Sequence, residues 1–293
     1  MHYHRFLDKD LKVSSLGIGV EHLKKLSSNE VFEIIKAGLN GGINYIDLVW
    51  SLPKVINGVI KALNSKDEPR YIAIHLGSGH KDGKYYRTRK PEECKQYYIE
   101  IYEKLPEKSI PIINIHYINQ LKDWNKYTKP GSILDAAIEL KDEGYGAFVA
   151  VSTHSVEVVT EAALHPEINS VMFQVNMANH ALKNRDVALQ SCLDNKTSIV
   201  AMKPYAGGRL LAAGKKTKVA GYMRAGKSVE FISPLTLTSH KCLAYTLDQI
   251  GVCCTVTGPA CVEEICDSLK YFDIDDKDKN YDQELSEIVL QIN

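Results

Sequence analysis

The chain has 293 residues, 44% of them hydrophobic, and its 36 Lys and Arg side chains are balanced by 36 Asp and Glu side chains. This length suits one large barrel domain, and the apolar fraction allows an extensive core. The formal net charge of zero argues against nucleic acid or an anionic membrane as a partner, because the chain as a whole would attract neither.

The N-terminal stretch MHYHRFLDKDLKV is polar, and no apolar run approaches the roughly 18 residues that suggest a membrane-spanning helix. The seven cysteines form no CxxC pair, which favours reduced thiols over a disulfide framework. Cys261 and Cys266 lack the two further ligands that a structural metal site requires. We therefore expect a cytoplasmic protein without a metal, whose oligomeric state the sequence leaves open.

Short apolar segments alternate with longer helical patterns along the chain. The predicted strands are residues 15–19, 44–48, 71–76, 111–116, 147–152, 170–176, 198–204 and 252–257. The predicted helices are residues 29–40, 53–64, 90–105, 132–143, 155–165, 185–195, 235–250 and 262–272. Eight strand–helix units favour a closed (β/α)8 TIM barrel of the α/β class, and the first loops lack the G-x-G-x-x-G of a Rossmann unit.

Both ends of the chain add elements to this barrel. Residues 1–14 are predicted to form an N-terminal β-hairpin with Asp8-Lys9-Asp10 as its turn, and such a hairpin could close the bottom of the barrel. Residues 273–293 are predicted to form a charged tail that ends in an amphipathic helix over residues 283–292. No linker divides the chain, so we expect residues 1–293 to form a single domain.

Polar side chains recur at the predicted carboxyl ends of the strands, where barrel enzymes place their active sites. The ends of strands two to seven carry Asp47, His75, His116, Ser152 with Thr153, Gln174 and Lys203. One such residue is more often a structural hydrogen-bonding group or a helix cap. Polar groups on six adjacent strands at one end of the barrel favour a functional site.

Several motifs resemble those of the aldo-keto reductases, which are nicotinamide-dependent barrel enzymes. The matching segments are RFLDKDLKVSSLGIG, GGINYID, INIH, VAVSTHS, FQVNMAN, VAMKPYAGGRL and TGPACVEEICDSL. The likeness covers nearly the whole chain and is greatest to a branch whose members often add a cysteine-rich iron–sulfur segment after the barrel. No such segment follows the barrel in these 293 residues.

The resemblance implies an Asp-Tyr-Lys-His tetrad that this chain matches only in part. Asp47 and His116 stand at the aspartate and histidine positions, whereas Leu52 stands where the family has its proton-donating tyrosine and His75 where it has lysine. Leucine cannot donate a proton, but histidine can act as acid or base near neutral pH. We hypothesise that His75 and His116 share the proton transfer, with Asp47 orienting or charging one of them.

For the cofactor, the resemblance implies a site for NAD(P)H. The residues assigned to it are Ser152, Thr153, Gln174, Lys203, Tyr205, Gly207, Gly208, Gly258 and Glu264. The family's cation for the 2′-phosphate of NADPH falls at Cys261, which carries no positive charge. We therefore expect that the contact with the 2′-phosphate is lost, and that the protein prefers NADH or selects only weakly between NADH and NADPH. The basic segment 214–218 could compensate, although charged loops are usually only solvated.

The substrate pocket is predicted to include Trp50, Leu52, Tyr85, Tyr86 and Trp124. Tyr85 and Tyr86 lie in the long segment HLGSGHKDGKYYRTRK after strand three, which could fold over the mouth and supply a phenol. The alternative is that these aromatic side chains only pack against the barrel rim. The sequence does not identify the substrate.

Three functions remain open at this point. The first is an oxidoreductase that acts on a small carbonyl or hydroxyl compound with a nicotinamide cofactor and uses histidine in place of tyrosine and lysine. The second is a lyase or isomerase on the same barrel that uses His and Asp for acid–base chemistry. The third is a catalytically silent binding subunit, which the polar groups at the mouth disfavour.

Overall fold

The computed structural model describes residues 1–6, 8–224 and 227–292, and the side chains of all of these except 8–10, 220–224 and 227. The described strands are β1 (Tyr3–Phe6), β2 (Asp8–Ser14), β3 (Leu16–Gly19), β4 (Tyr45–Leu48), β5 (Arg70–Leu76), β6 (Ser78–Lys81), β7 (Lys84–Arg87), β8 (Ser109–Ile115), β9 (Phe148–Thr153), β10 (Ser170–Gln174), β11 (Ser198–Met202), β12 (Lys216–Arg224), β13 (Lys227–Ile232) and β14 (Val252–Thr257).

The described α-helices are α1 (Ser28–Asn40), α2 (Pro53–Leu63), α3 (Pro91–Tyr102), α4 (Leu121–Tyr127), α5 (Ile133–Asp142), α6 (Val156–Leu164), α7 (Arg185–Asp194), α8 (Ser239–Leu247), α9 (Val262–Lys270), α10 (Asp276–Lys279) and α11 (Asp282–Ile292). None of the helices in the described part of the chain is long and apolar enough to span a membrane.

Eight parallel strands close into a barrel in the order β3-β4-β5-β8-β9-β10-β11-β14, and β14 pairs with β3 to complete the circle. The (β/α)8 fold predicted from the sequence is therefore confirmed. Each strand is buried on both faces because side chains fill the barrel and helices cover it outside. That residues 1–293 form a single domain stays a prediction.

The N-terminal hairpin pairs Tyr3 with Ser14 and lies under the barrel. Phe6 is fully buried, and its ring makes edge contacts with Tyr45 and Tyr71 at centroid distances of 5.8 and 5.0 Å. The predicted turn at residues 8–10 is wrong, because β2 already begins at Asp8. A register shift after residue 5 places Phe6 opposite Asp8 and allows this ring to fill the barrel bottom.

Two further hairpins and one helix were not predicted. Hairpin β6–β7 lies in the long segment after the third barrel strand, and hairpin β12–β13 begins within the basic segment 214–218 that was assigned to a loop. Helix α4 precedes α5 in the segment after β8. Hairpin β6–β7 turns at Asp82 and Gly83, both with positive φ, as a two-residue turn matched to strand twist requires. This hairpin stands at the carboxyl end of the barrel.

Candidate active site

A cavity of about 1030 Å³ opens at the carboxyl ends of the barrel strands. It is lined by residues at the ends of several barrel strands, by hairpin β6–β7, and by the loop and first turns of α9. Its volume lies at the upper end of the range for small-molecule sites, roughly 300–1,000 Å³. The cavity therefore has the position and the size expected of a barrel active site.

A continuous chain of hydrogen bonds runs from this cavity to a buried carboxylate. The Tyr85 hydroxyl lies 2.9 Å from His116 Nε2, and His116 Nδ1 lies 2.7 Å from His75 Nδ1. The other ring nitrogen of His75, Nε2, lies 2.7 Å from Asp47 Oδ1. We call these four residues the relay.

The hydrogen-bonding capacities of the groups fix the direction of each bond when both histidines and the tyrosine are uncharged. We call this form the neutral relay, although Asp47 is ionised in it. The Asp47 carboxylate can only accept, so His75 donates from Nε2 and its Nδ1 is left as an acceptor. His116 then donates from Nδ1 to His75 and accepts the Tyr85 hydroxyl proton at Nε2. Every polar hydrogen in the neutral relay thus points toward Asp47.

The barrel strands and the hairpin hold the relay in place. His116 follows β8, where its N–H donates to the Leu76 carbonyl at 3.0 Å and its carbonyl accepts from the Arg89 guanidinium at 2.5 Å. The hairpin carries Tyr85, whose ring meets Trp50 edge-on at 4.9 Å. The Trp50 indole N–H in turn donates to the backbone of the segment after β3. The hydroxyl therefore comes from outside the barrel but is fixed against it.

Burial and neighbouring charges set the protonation of His116 and Tyr85, the two relay residues farther from Asp47. Burial, then the nearby His75, Arg89 and Arg87, lowers the pKa of His116 well below its usual value. Partial burial raises the pKa of Tyr85, although the cations Arg87 and Arg89 act in the opposite direction. At neutral pH His116 is therefore an uncharged acceptor and Tyr85 keeps its proton.

Most of the sequence-predicted site residues meet in this cavity. Its lining includes Asp47, Trp50, His75, Tyr85, His116, Ser152, Lys203, Tyr205, Gly207, Gly208, Gly258 and Glu264. The cavity thus joins the residues proposed for proton transfer to those that the resemblance assigns to a cofactor.

Contrary to the prediction, three residues assigned to the substrate pocket, Leu52, Tyr86 and Trp124, do not line the cavity. Leu52 precedes α2 and is buried in the core outside the barrel wall. The next residue along β7 after Tyr85, Tyr86, faces away because strand side chains alternate, and its hydroxyl donates to Glu93. Trp124 lies on α4 in the core, with its ring edge against His165.

Two predicted cofactor residues are buried beside the cavity and do not line it. Thr153 accepts a hydrogen bond from the Ser155 N–H through its hydroxyl oxygen, as a residue at a helix start does. Gln174 donates to the backbone carbonyl of His154. Their direct contact with a bound molecule stays a prediction.

Sequence reasoning missed several residues near the relay. The Asn114 carboxamide lies 3.1 Å from His75 Nε2 inside the barrel, and Arg87 and Tyr117 line the cavity. Asn114 stands two residues before His116, so strand periodicity could have placed both on the inward face. The Asp-Gly pair at 82–83 was the signal for the hairpin that carries Arg87.

Donors for a dinucleotide lie at the other end of the cavity. Gly207 and Gly208 have positive φ and line the cavity beside Arg209, which has no ion pair with a described carboxylate. Helix α9 also begins at this end, but its first turn carries Glu263 and Glu264, and the Glu263 carboxylate accepts from its own N–H. The backbone N–H groups at Gly207 and Gly208 with one guanidinium therefore fit a diphosphate, and the start of α9 does not.

The same end of the cavity is acidic. Cys261 offers no positive charge, and Glu263, Glu264 and Asp267 line the cavity around it. Two of the three lysines of the basic segment, Lys216 and Lys218, form ion pairs with Glu230 at 2.8 and 3.7 Å. Carboxylates suit ribose hydroxyl groups and repel a phosphate.

The closed barrel and the titratable side chains in its cavity are those of an enzyme of the TIM-barrel class. A model of the aldo/keto reductase family matches residues 15–287, and the chain belongs to that family. It is therefore an aldo-keto reductase-type oxidoreductase that acts on small molecules. The family generally uses NAD(P)H.

A curated relative and two solved structures illustrate the likeness. The "uncharacterized oxidoreductase YqkF" of Bacillus subtilis strain 168 is 24% identical over 278 residues, which is 89% of this chain and 88% of the relative. The holo form of the aldo-keto reductase AKR11C1 from Bacillus halodurans is 19% identical, with a TM-score of 0.72 and coverage of 98% and 96% of the two chains. The glycerol dehydrogenase AKR11B4 of Gluconobacter oxydans is 17% identical, with a TM-score of 0.65 and coverage of 99% and 95%.

Proposed function

We propose that the protein interconverts a small carbonyl compound and its alcohol with a nicotinamide cofactor, and that Tyr85 is the proton donor. The observation that carries this proposal is the unbroken hydrogen-bonded relay from the cavity to Asp47. Tyr85 provides a phenol at a position in the chain different from that of the family tyrosine, where this protein has Leu52. His116 would hydrogen-bond the phenol and return its proton after each turnover, and His75 would supply that proton to His116.

Carbonyl reduction requires one proton more than the neutral relay holds. The added proton is held by His75, because its Nε2 faces the Asp47 carboxylate whereas His116 faces the cations Arg87 and Arg89. His75 Nδ1 then donates to His116, and His116 Nε2 donates to the Tyr85 oxygen. The hydroxyl hydrogen of Tyr85 is thereby freed to point into the cavity.

In this protonated relay, Tyr85 donates its hydroxyl proton to the carbonyl oxygen as that oxygen gains negative charge. His116 Nε2–H replaces the proton on Tyr85, and His75 replaces the proton on His116. A bound nicotinamide supplies the hydride that adds to the carbonyl carbon. After one turnover the relay is neutral, with all its hydrogens directed toward Asp47, and this form accepts a proton in alcohol oxidation.

For the cofactor we propose a preference for NADH over NADPH. Gly207, Gly208 and Arg209 would hold the diphosphate. Glu263 and its neighbouring carboxylates would bond the ribose hydroxyls and disfavour a 2′-phosphate. The cytoplasmic location and the absence of nucleic-acid partners stay predictions from the sequence.

The test is a titration of the purified protein with NADH and NADPH, followed by nicotinamide fluorescence, and then a turnover screen against small ketones, aldehydes and alcohols. We expect NADH to bind at least about tenfold more tightly than NADPH and to be oxidised by some carbonyl compounds. Hydrogen exchange beside a carbonyl without NADH oxidation would instead support the lyase or isomerase. Neither binding nor exchange would indicate a silent subunit.

A further inference from the structure

Arg87 lines the cavity near the relay, and no carboxylate in the described part of the chain forms an ion pair with it. It lies two residues after Tyr85 on β7, so both side chains leave the same face of the hairpin, and both line the cavity. Its guanidinium lies over the Tyr117 ring, 5.5 Å from the centroid. A cation–π contact fixes the guanidinium but leaves its charge intact.

The surrounding charges leave this end of the cavity with a positive balance. Asp47 already accepts from His75, and Glu21 lies 3.8 Å from Lys203. Arg89 donates only to backbone carbonyls, those of Thr88, His116 and Tyr117. Two guanidinium groups within the described structure therefore lack an anionic partner beside the relay, and Arg87 is the one that lines the cavity.

Tyr117 is a rigid support for Arg87. Its φ of 55° places a bulky residue in the left-handed region, which persists only where the surroundings fix it. Its N–H donates to Ser152 at 2.8 Å, and its ring meets His154 edge-on at 5.3 Å. The backbone of Tyr117 therefore fixes its ring at the cavity wall, and the Arg87 guanidinium packs over this ring.

We propose that Arg87 binds a carboxylate of the substrate, so that the substrate class is small oxo acids and their hydroxy-acid products. This inference rests on the proposed function and names the substrate of the same site. Side chains two positions apart on a strand emerge about 6.5 Å apart. One small molecule bridges that gap when Tyr85 donates to its carbonyl oxygen and Arg87 pairs with its carboxylate.

The reaction balances with the groups already assigned. The carbonyl carbon takes a hydride from the reduced nicotinamide, which is oxidised, and the carbonyl oxygen takes the Tyr85 proton, which the relay replaces. The carbon–oxygen π bond breaks, and a hydroxy acid is formed. The carboxylate stays ionised and paired with Arg87 throughout, so it anchors the substrate and takes no part in bond making.

The experiment compares phenylglyoxylate with its uncharged methyl ester, because Trp50, Tyr85 and Tyr117 make the cavity wall aromatic. Binding is followed by tryptophan fluorescence: of the two tryptophans, Trp50 lines the cavity and Trp124 lies in the core. Turnover with NADH is measured in parallel. We expect the wild type to bind the acid more tightly than the ester.

The decisive variant is Arg87→Gln. It should weaken binding of the acid roughly 10- to 100-fold, the loss expected for hydrogen bonds to a charged group, and change binding of the ester by less than about threefold. The loss should appear in KM, and because Arg87 also acts on the pKa of Tyr85 and of His116, any change in kcat should be the same for acid and ester. Arg87→Lys should recover part of the loss in KM. Lys84→Gln removes the same charge from the same strand outside the cavity lining and should match the wild type.

The outcomes separate this inference from the proposed function. If the wild type binds acid and ester equally, or if Arg87→Gln weakens both alike, the carboxylate site is refuted whether or not either compound is reduced. If acid binding depends on Arg87 but neither compound oxidises NADH, the anion site stands and the proposed oxidoreductase reaction fails for this substrate class.

Discussion

Replacing Tyr85 by Phe removes the hydroxyl group of the relay that faces the cavity and keeps the aromatic ring. The ring keeps its edge contact with Trp50, so only the 2.9 Å hydrogen bond to His116 is lost. One hydrogen bond contributes about 0.5–1.5 kcal/mol to stability, so the variant should remain folded. The structure thus allows the catalytic role of the hydroxyl to be measured separately from folding.

The expected loss of activity follows from the geometry of the relay. A positioned general acid contributes typically about 10²–10⁴-fold. A water molecule in the place of the hydroxyl could carry a proton from His116 Nε2, which recovers part of that factor. We therefore expect kcat for carbonyl reduction by Tyr85→Phe to fall about 10²–10³-fold, equivalent to about 2.7–4 kcal/mol, with little change in cofactor affinity.

The assay is single-turnover oxidation of NADH with saturating substrate, together with a thermal melt. The adjacent residue supplies the matched control: Tyr86→Phe also removes a phenol from β7, but that hydroxyl bonds Glu93 away from the cavity, and kcat should stay within about twofold of the wild type. A kcat for Tyr85→Phe within about threefold of the wild type would refute its role as the proton donor.

Three other predictions follow from burial and charge. Burial, then Lys203, lowers the pKa of His154 to about 3, whereas the unfolded residue titrates near 6.5. Between these two pKa values the unfolded state therefore binds more protons than the folded state, so the free energy of unfolding falls as the pH drops from about 6.5 toward 3. His154→Gln should reduce this pH dependence, measured by urea unfolding, by up to about 1.4 kcal/mol per pH unit. Cys261→Arg should lower the Kd of NADPH about tenfold relative to that of NADH in fluorescence titrations; an unchanged ratio would contradict the assignment of this end of the cavity. Leu52→Tyr restores the family residue but overpacks a buried position, so denaturant unfolding should show a cost of about 1–3 kcal/mol, and adding it to Tyr85→Phe should not recover turnover.

The barrel could be predicted because each strand–helix unit carries a local pattern. Apolar runs buried on both faces alternate with helical periodicity, and a closed parallel sheet follows from eight such units. The same argument placed Asp47, His75 and His116 at one end of the barrel, because parallel strands bring their carboxyl ends together. Structural features that depend only on neighbouring parallel strands can therefore be predicted from the sequence.

The origin of the phenol was harder to predict because it depends on a hairpin outside the barrel. Tyr85 and Tyr86 are adjacent and chemically alike, and only the register of β6 with β7 decides which one faces His116. Trp124 was misplaced for the same kind of reason, since the segment after β8 forms a short helix that turns the indole into the core. Long loops carry little periodicity, so side-chain direction within them is set by tertiary packing.

The proposed loss of a 2′-phosphate site could be argued from the sequence at one position but not for the whole surface. Cys261 marks the missing cation in the sequence, whereas the carboxylates that face the same cavity come from successive turns of α9 and become neighbours only in the fold. The pairing of Lys216 and Lys218 with Glu230 likewise required the strand register.

The pH dependence of the two reaction directions tests the relay most directly. Carbonyl reduction needs the relay with its added proton and alcohol oxidation needs it without, so single-turnover rates should fall with pH for reduction and rise with pH for oxidation, with one shared apparent pKa. Both dependences should disappear in His75→Gln, which cannot take up the added proton. Rates that change with pH in the same sense in both directions, or profiles that His75→Gln leaves unaltered, would contradict the account.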